Sequence, residues 1–181
     1  MLKSLFHRQI RAFETQWGYD AAYMHQLLDN AGPWAFLKFS LVTSLAHAKG
    51  APAVATAAVG IVATMAEDCG PCTQIGVDIA AAKGVPPAVL RAILAGDLEA
   101  MGETAALGYV FAQAVLERRM QEMDDLREEI AGRWGAKAVT ALGLTLAATR
   151  VFPALKYATG HGHSCQRVLV SGEPAALKLA A

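Results

Sequence analysis

Residues 65–84 have the sequence MAEDCGPCTQIGVDIAAAKG, which places two cysteines, Cys69 and Cys72, three positions apart. Asp68 stands directly before them, and an aspartate at that point is typical of the residue that caps the start of a helix. The residues that follow are rich in alanine and other good helix formers. The segment therefore predicts a helix that carries a Cys-x-x-Cys pair at its N-terminus.

A cysteine at a helix N-terminus is suited to redox chemistry, because the thiolate is the reactive form of the side chain. The unpaired N–H groups and the dipole of the first helical turn stabilise a negative charge there. At this spacing the sulfurs of Cys69 and Cys72 share one helix face and can form an intramolecular disulfide. One cysteine can then attack a peroxide or a disulfide while the other resolves the product, and on these grounds either of them can be the attacking one.

Two other interpretations of the cysteine pair remain open. The pair is half of a zinc site if His161, His163 and Cys165 complete a set of four ligands. Alternatively, both cysteines are inert core side chains that fall at helical spacing by chance. The polar neighbours of the pair, Glu67 and Thr73 among them, favour redox chemistry over an inert core position.

The composition of the chain bounds its fold class and its partners. The 181 residues are 54% hydrophobic and 18% charged, which is consistent with one domain over residues 1–181 whose first 50 residues form a helical extension packed on the remainder. Alanine-rich segments, without strictly alternating apolar runs, predict an all-α fold. Sixteen basic and sixteen acidic residues cancel, so no nucleic-acid partner is expected. No glycine-rich nucleotide motif occurs, and no cofactor is predicted.

The sequence indicates neither secretion nor membrane insertion. The N-terminal segment lacks the apolar core and cleavage site of a secretory signal, and three cysteines do not form the even set of a disulfide framework, so we expect a cytoplasmic protein. The apolar stretches at residues 51–66 and 138–148 are shorter than the about 20 residues that a membrane span needs. We therefore expect core or subunit-interface helices there, and no membrane partner.

Glycines, prolines and capping residues divide the rest of the chain into helices. The first is an amphipathic helix before Gly18, which we expect to dock on the protein itself rather than on a membrane surface. The later predicted segments are a helix over residues 20–29 capped by Asp20, helices over residues 34–48, 88–94 and around 107–114, a helix capped by Asp124 or Asp125, a long helix over residues 136–157, and a loose tail from Gly160.

Residues 65–84 resemble the signature helix of the alkylhydroperoxidase D-like, or carboxymuconolactone decarboxylase, family. The continuation VPPAVLRAI, residues 85–93, is similar to the helix that follows in that family, and the resemblance covers about the last two thirds of the chain. It implies an all-helical fold, a homo-oligomer of trimeric or hexameric kind, and cysteine-based reduction of hydroperoxides or exchange with a dithiol. The decarboxylase branch lacks the cysteine pair, so Cys69 and Cys72 place this chain with the redox branch.

The chain departs from the fullest active-site pattern of that family at two positions. The family has a histidine four residues after the second cysteine and a glutamate upstream of the first, where this sequence has Gly76 and Ala57. We expect Glu67, or a histidine of the pair His161 and His163, to act as the base instead. Glu67 is equally an acidic residue that favours a helix start, and the histidines are equally part of a solvated tail.

The resemblance thus predicts a thiol-dependent peroxidase with Cys69, Cys72 and Glu67 as catalytic residues. Its partners are a hydroperoxide substrate and a dithiol electron donor. Cys165 is either a resolving cysteine or a free surface cysteine. The alternatives are a non-redox metal-binding or interaction protein on the same fold, and a carboxymuconolactone decarboxylase-like enzyme that acts on a small cyclic or aromatic acid.

Overall fold

The structure is a computed structural model, which describes residues 2–162 and 167–178. In these residues the chain forms nine α-helices, one 3-10 turn and one two-stranded antiparallel sheet, which confirms the predicted all-α fold. The helices are α1 (Leu2–Trp17), α2 (Ala22–Ser44), α3 (Ala53–Met65), α4 (Gly70–Ala82), α5 (Pro87–Ala95), α6 (Glu103–Glu117), α7 (Met120–Trp134), α8 (Ala136–Thr149) and α9 (Val151–Ala158); the 3-10 turn is Leu45–His47, and the strands are β1 (Leu169–Val170) and β2 (Glu173–Pro174).

The largest apolar cluster surrounds α3, which packs against α4, α6 and α8. Nine of the thirteen residues of α3 are alanine, valine or isoleucine and none is charged, so the helix has no charged face to present to water. Ala55, Ala58 and Val59 of this helix are fully buried. The prediction that this apolar stretch is a core helix is therefore confirmed.

A second apolar cluster joins α1 to α2, and Ile10, Tyr23 and Phe36 are buried in it. Ile75 of α4 and Phe152 of α9 pack against the same cluster, so the N-terminal helices rest on the later part of the chain. The prediction that the first helix docks on its own protein is confirmed, because the apolar stripe of α1 is occupied by α2.

The second and third predicted helices are both present, and they meet at a kink at Gly32 inside α2, which spans the two. Gly32 has a φ of +82° and a ψ of 174°, and Pro33 follows it, so the helix axis bends there. The N-cap residue is Ala21 and not Asp20 as predicted, although Asp20 lies directly before it and its Oδ1 accepts the N–H of Ala22 at 2.9 Å. At the other end α2 stops at Ser44, and the chain continues in the tighter 3-10 turn.

The helix predicted to begin at Asp124 or Asp125 begins earlier, at Met120, so neither aspartate caps it. The break before this helix lies at Arg118, which has a left-handed φ of 57° and ends α6. An arginine in that conformation carries no sequence signal, unlike the glycine or proline that usually marks a break. The sequence therefore places the start of α7 too late.

The long C-terminal helix is interrupted at Arg150, because Pro153 has no N–H to donate to the preceding turn. The two parts, α8 and α9, together span Ala136–Ala158, which is long and apolar enough by length and composition to cross a membrane. The argument that this stretch is too short is therefore wrong. Leu142 of α8 is fully buried in the protein core. Length and composition alone assign no membrane span, since a core helix passes the same test.

The prediction of a loose tail is wrong for residues 167–178, where β1 and β2 form a small antiparallel hairpin. Val168 and Val170 are buried, with 1% and 2% of their surfaces exposed. Gln74 of α4 holds the hairpin: its Oε1 accepts the N–H of Leu169 at 2.6 Å, and its Nε2 donates to the Leu169 carbonyl at 3.2 Å. Strands of two residues are too short to show an alternating pattern in the sequence.

The crossing of α3 and α6 depends on the glycine at position 108. A Cβ there would lie 2.6 Å from the Ala55 carbonyl oxygen and 3.0 Å from the Ala55 Cα. Because backbone atoms cannot move aside locally, Gly108→Ala should push the helices apart and lower the free energy of unfolding by about 1–3 kcal/mol. Urea denaturation followed by circular dichroism measures this change.

Gly132 provides a matched control, because it also lies inside a helix and has nothing within 4 Å of its Cβ position. Gly132→Ala should raise the free energy of unfolding by roughly 0.5–1 kcal/mol, through the better helix propensity of alanine. A gain in stability for both variants would contradict the close contact between α3 and α6.

Candidate functional site

The cysteine pair lies at the start of α4, as the sequence predicts. Cys69 is the N-cap residue, and Gly70 is the first helical residue. Pro71 follows in the first turn, where its missing N–H would have no helical partner and its fixed φ suits the helix. Cys69 and Cys72 form a disulfide with their Cα atoms 5.2 Å apart. Both are buried, with 4% and 3% of their surfaces exposed.

Asp68, the residue predicted to cap α4, lies outside the helix. Its φ is +49°, a left-handed conformation that aspartate adopts more readily than most residues. Within the described residues no side chain forms a capping hydrogen bond at this helix start. The turn at Asp68 brings Cys69 to the N-cap position, where its N–H donates to the Thr64 carbonyl at 3.2 Å. The backbone therefore places a cysteine sulfur, rather than a carboxylate, at the N-terminus of α4.

Two buried threonines join the end of α3 to the start of α4: Thr73, predicted above only as a polar neighbour of the cysteines, and Thr64, for which no role is predicted. The Thr73 hydroxyl donates to Thr64 Oγ1 at 3.0 Å, and the Thr64 hydroxyl donates to the Ile61 carbonyl at 2.9 Å. The Thr73 N–H also donates to the Cys69 carbonyl at 2.9 Å. The two threonines are nine positions apart in the chain and lie on different helices, so the spacing within one helix does not predict their hydrogen bond. These bonds fix the backbone on both sides of the cysteine turn.

Cys72 lines a cavity of about 830 Å³ between the N-terminal helices and α3, α4 and α8. Cys69 is not among the described residues that line it. A small molecule in the cavity would therefore meet the pair at Cys72. A large part of the wall is aromatic and comes from α1, α2 and the turn between them, with Phe13, Trp17, Tyr19, Tyr23, Phe36 and Phe39.

Gly76 and Ala57, which stand where the resembled family has a histidine and a glutamate, also line this cavity. A Cβ at Gly76 would meet the Ile61 Cγ1 at 3.8 Å, an ordinary van der Waals distance. A larger side chain at that position would therefore extend into the cavity. The two small residues leave open space where that family carries its proton relay.

Glu67 lies in the turn between α3 and α4, and its carboxylate pairs with an arginine. Arg150 Nε donates to Glu67 Oε1 at 2.5 Å, and the Tyr157 hydroxyl donates to the Glu67 carbonyl at 2.6 Å. Burial, together with the charges of Asp68 and Glu67, raises the pKa of Tyr157, so this hydroxyl stays a donor. These contacts fix the turn beside the cysteines, and the catalytic role of Glu67 stays a prediction.

His161 lies against α2, with its Nε2 atom 2.5 Å from Gln26 Oε1. It is not among the described residues that line the cavity. His163 and Cys165 lie outside the described residues. The zinc site that would include them, and the role of His163 as a base, therefore stay predictions. Within residues 2–162 and 167–178, no group of three or more histidine, cysteine, aspartate or glutamate side chains is placed to hold a metal ion.

A buried lysine, also missed in the sequence, contacts the aromatic wall. Lys156 is 4% exposed, and its Nζ lies 5.2 Å from the ring centroid of Tyr19 and 5.6 Å from that of Tyr23. Burial lowers the pKa of Lys156 and raises the pKa of both tyrosines. One sequence signal does point to this wall, since eight of the thirteen aromatic residues fall within residues 6–39.

The fold and the site define an all-α protein in which a Cys-x-x-Cys disulfide lies beside a partly open cavity. No family model matches the chain, and neither a curated protein nor a solved structure shows significant similarity to it. The resemblance to the alkylhydroperoxidase D-like family, carried by residues 65–93, stays a prediction.

The buried pair of Tyr19 and Tyr23 predicts a loss of stability at alkaline pH. Burial raises their pKa in the folded protein above 10.0, so their contribution is fully present below pH 10 and is lost as the pH rises further. Each tyrosine changes the free energy of unfolding by up to about 1.4 kcal/mol per pH unit. Tyr23→Phe removes one ionisation, so its Tm should fall less steeply than that of wild type between about pH 10 and pH 12.

The comparison at about pH 8 serves as the control, since neither tyrosine ionises there. The variant then loses only the 3.5 Å contact between the two hydroxyl groups. Because the pKa of Lys156 is lowered in the folded protein, its contribution to the free energy of unfolding increases with pH. This contribution is present in both wild type and Tyr23→Phe. Melting curves that decline in parallel at alkaline pH would contradict the burial of a neutral Tyr23.

Proposed function

We propose that this protein is a thiol-dependent peroxidase that reduces hydroperoxides through a dithiol-disulfide cycle of Cys69 and Cys72. The observation that supports this most directly is the disulfide at the start of α4, with Cys72 on the wall of the cavity. A helix N-terminus stabilises the thiolate that the reaction requires. The all-α fold is also the one that the resemblance to the alkylhydroperoxidase D-like family implies.

In this proposal Cys72 attacks the substrate and Cys69 resolves the product. Access supports this order, because Cys72 lines the cavity whereas Cys69 is not among the described residues that do. Cys69 lies at the N-cap, where the N–H groups of the first turn favour its thiolate. It is therefore a ready nucleophile toward an oxidised Cys72 three residues away.

The cycle starts from the reduced pair. The Cys72 thiolate attacks the terminal oxygen of the hydroperoxide, the O–O bond breaks, and the alkoxide takes up a proton to leave as an alcohol. Cys72 is then a sulfenic acid, and the Cys69 thiolate attacks its sulfur, so that water leaves and the disulfide forms. Two electrons have passed from the thiols to the peroxide, and an external dithiol donor returns them by thiol-disulfide exchange.

Glu67 is the proposed base of this cycle. Of the predicted relay residues it is the one in the turn that carries the cysteines, while His161 is held against Gln26. The ion pair with Arg150 holds the Glu67 carboxylate in place. A carboxylate that takes the thiol proton can return it to the leaving alkoxide.

Thiol mapping by mass spectrometry tests the cysteine cycle, with Cys165→Ser as the common background so that no third thiol interferes. One equivalent of hydrogen peroxide should convert the reduced protein to a single Cys69–Cys72 disulfide. Cys69→Ser should accumulate a sulfenic acid at Cys72, which dimedone traps. Cys72→Ser should react with peroxide at least about tenfold more slowly, because the accessible thiolate is gone.

Thiols that stay reduced after peroxide treatment would contradict the proposed function. A sulfenic acid trapped at Cys69 in Cys72→Ser, with an unreactive Cys69→Ser protein, would reverse the two roles. Stoichiometric zinc that is lost on Cys72→Ser would favour the metal-binding alternative instead. Activity on a small cyclic acid that cysteine replacement leaves unchanged would favour the decarboxylase alternative.

The role of Glu67 is tested by Glu67→Gln, which keeps an acceptor for Arg150 but cannot take a proton at neutral pH. The rate of peroxide reduction should fall about a hundredfold, the effect expected for loss of a general base. Stopped-flow measurement of thiol oxidation against pH reports this change. Arg150→Gln is the matched control, since it breaks the ion pair but leaves the carboxylate, and an equal loss in both variants would indicate a structural role for the pair.

A further inference from the structure

The cavity beside Cys72 has one wall formed by a single face of α4. Cys72, Ile75, Gly76, Ile79 and Lys83 line it, at the spacing of three or four residues that places side chains on the same helix face. At 1.5 Å per residue, Cys72 and Lys83 are about 16 Å apart along the helix axis. The cavity thus extends along α4 from a cysteine at one end to a lysine at the other.

The wall of the cavity is mainly apolar. The face of α4 contributes isoleucines between its two ends, and α1 and α2 contribute aromatic rings such as Phe13, Trp17 and Phe39. The volume of about 830 Å³ lies within the range of about 300–1,000 Å³ that is usual for small-molecule sites. Such a wall favours a hydrocarbon group.

The end of the cavity at the C-terminus of α4 is basic. Lys83 Nζ lies 3.4 Å from His47 Nδ1, and Lys49 also lines the cavity. Burial and the charge of Lys83 lower the pKa of His47, so the lysines carry the positive charge at this end. None of the described residues that line the cavity is acidic. The unbalanced positive charge favours an anionic group at this end.

A polar atom without a partner also lines the cavity. Thr145 is 2% exposed, and its Oγ1 has no hydrogen-bond partner among the described residues. A buried hydroxyl without a partner is unfavourable, and a polar atom of an occupant would satisfy it. Thr145 therefore adds an unsatisfied polar atom to a cavity wall that is otherwise mainly apolar.

We propose that this cavity binds an amphipathic carboxylate of the fatty-acid type, with its head group at Lys83 and His47 and its hydrocarbon tail along the α4 face toward Cys72. The spacing along α4 corresponds to an extended chain of the length of dodecanoate. Binding of this ligand requires neither oxidation nor reduction of the cysteines. This binding site is therefore inferred from the cavity and its charges, and it does not depend on the proposed thiol cycle.

Isothermal titration calorimetry of the disulfide form with dodecanoate tests this site. Dodecanol is the comparison ligand with the same hydrocarbon tail and no charge, and butanoate is the comparison ligand with the same carboxylate and a much shorter tail. Dodecanoate should bind at one site per chain, and both other ligands should bind more weakly. Lys83→Met should weaken dodecanoate binding by about tenfold and leave dodecanol binding unchanged, because only the charged head group loses its partner. Lys38→Met is the matched control, since Lys38 is an exposed lysine of α2 outside the cavity wall.

A second variant locates the tail. Gly76→Phe places a ring in the cavity and should abolish binding of both dodecanoate and dodecanol, while circular dichroism verifies that the variant is folded. A measurement on the unaltered cavity supports it: ω-bromododecanoate should quench the fluorescence of Trp17, which lines the cavity, and Trp17→Phe should remove that quenching.

Equal affinities for dodecanoate and dodecanol, or a Lys83→Met protein that binds dodecanoate like Lys38→Met, would overturn the proposal. Binding that weakens as the protein concentration rises, with a dimer in sedimentation velocity, would overturn it in favour of a second copy of the chain in the cavity. Cys72→Ser should still bind dodecanoate, so failure of the peroxidase cycle and failure of this site are distinguishable.

Discussion

The contact between the backbones of α3 and α6 positions the cysteine pair. Gly108 lets α6 approach Ala55 closely and so fixes the position of α3. The other end of α3 carries Thr64, whose carbonyl accepts the N–H of Cys69 and whose hydroxyl accepts the hydroxyl of Thr73. The start of α4 is therefore held from a helix in the centre of the core. Packing at one end of α3 decides where the sulfur atoms lie at the other.

The same arrangement explains how a cavity lies beside the pair. α3 and α4 present small residues on the side toward α1 and α2, notably Ala57, Gly60 and Gly76. Because the facing surface of the N-terminal helices is aromatic and rigid, it does not fill the space that these small residues leave. The positions where the resembled family has a histidine and a glutamate are therefore small here, and they leave room for a ligand.

The sequence predicts most of the helices of this chain, because glycine and proline mark most of its breaks and apolar spacing marks its buried faces. It misplaces the elements whose boundaries depend on the fold. Arg118 adopts a left-handed conformation without a local signal, and Asp68 forms a tight turn that moves the capping position to Cys69. The terminal hairpin depends on a side chain of α4, Gln74, which lies 95 positions away from Leu169.

The candidate site, like the fold, was predictable from the sequence only where it depends on residues that are close together in the chain. The cysteine pair and its place at a helix N-terminus follow from residues that are adjacent in the chain. The cavity, the burial of Lys156 and the Thr145 hydroxyl, which has no partner among the described residues, arise only when distant helices assemble. The spacing of residues along the chain therefore does not predict them. The concentration of aromatic residues before residue 40 was the one accessible sign of the cavity wall.

The turn that carries the cysteines is held by contacts that do not involve the sulfur atoms. The N–H of Cys69 donates to Thr64, the Tyr157 hydroxyl donates to the Glu67 carbonyl, and Arg150 binds the Glu67 carboxylate. Because none of these contacts involves a sulfur atom, reduction of the disulfide breaks none of them directly, and two thiols held in this turn would meet at a high effective molarity, which for well-aligned groups reaches about 10⁵ M or more. In the proposed thiol cycle, ring closure would therefore outcompete dissolved thiols, and a mixed disulfide with an outside partner would be short-lived.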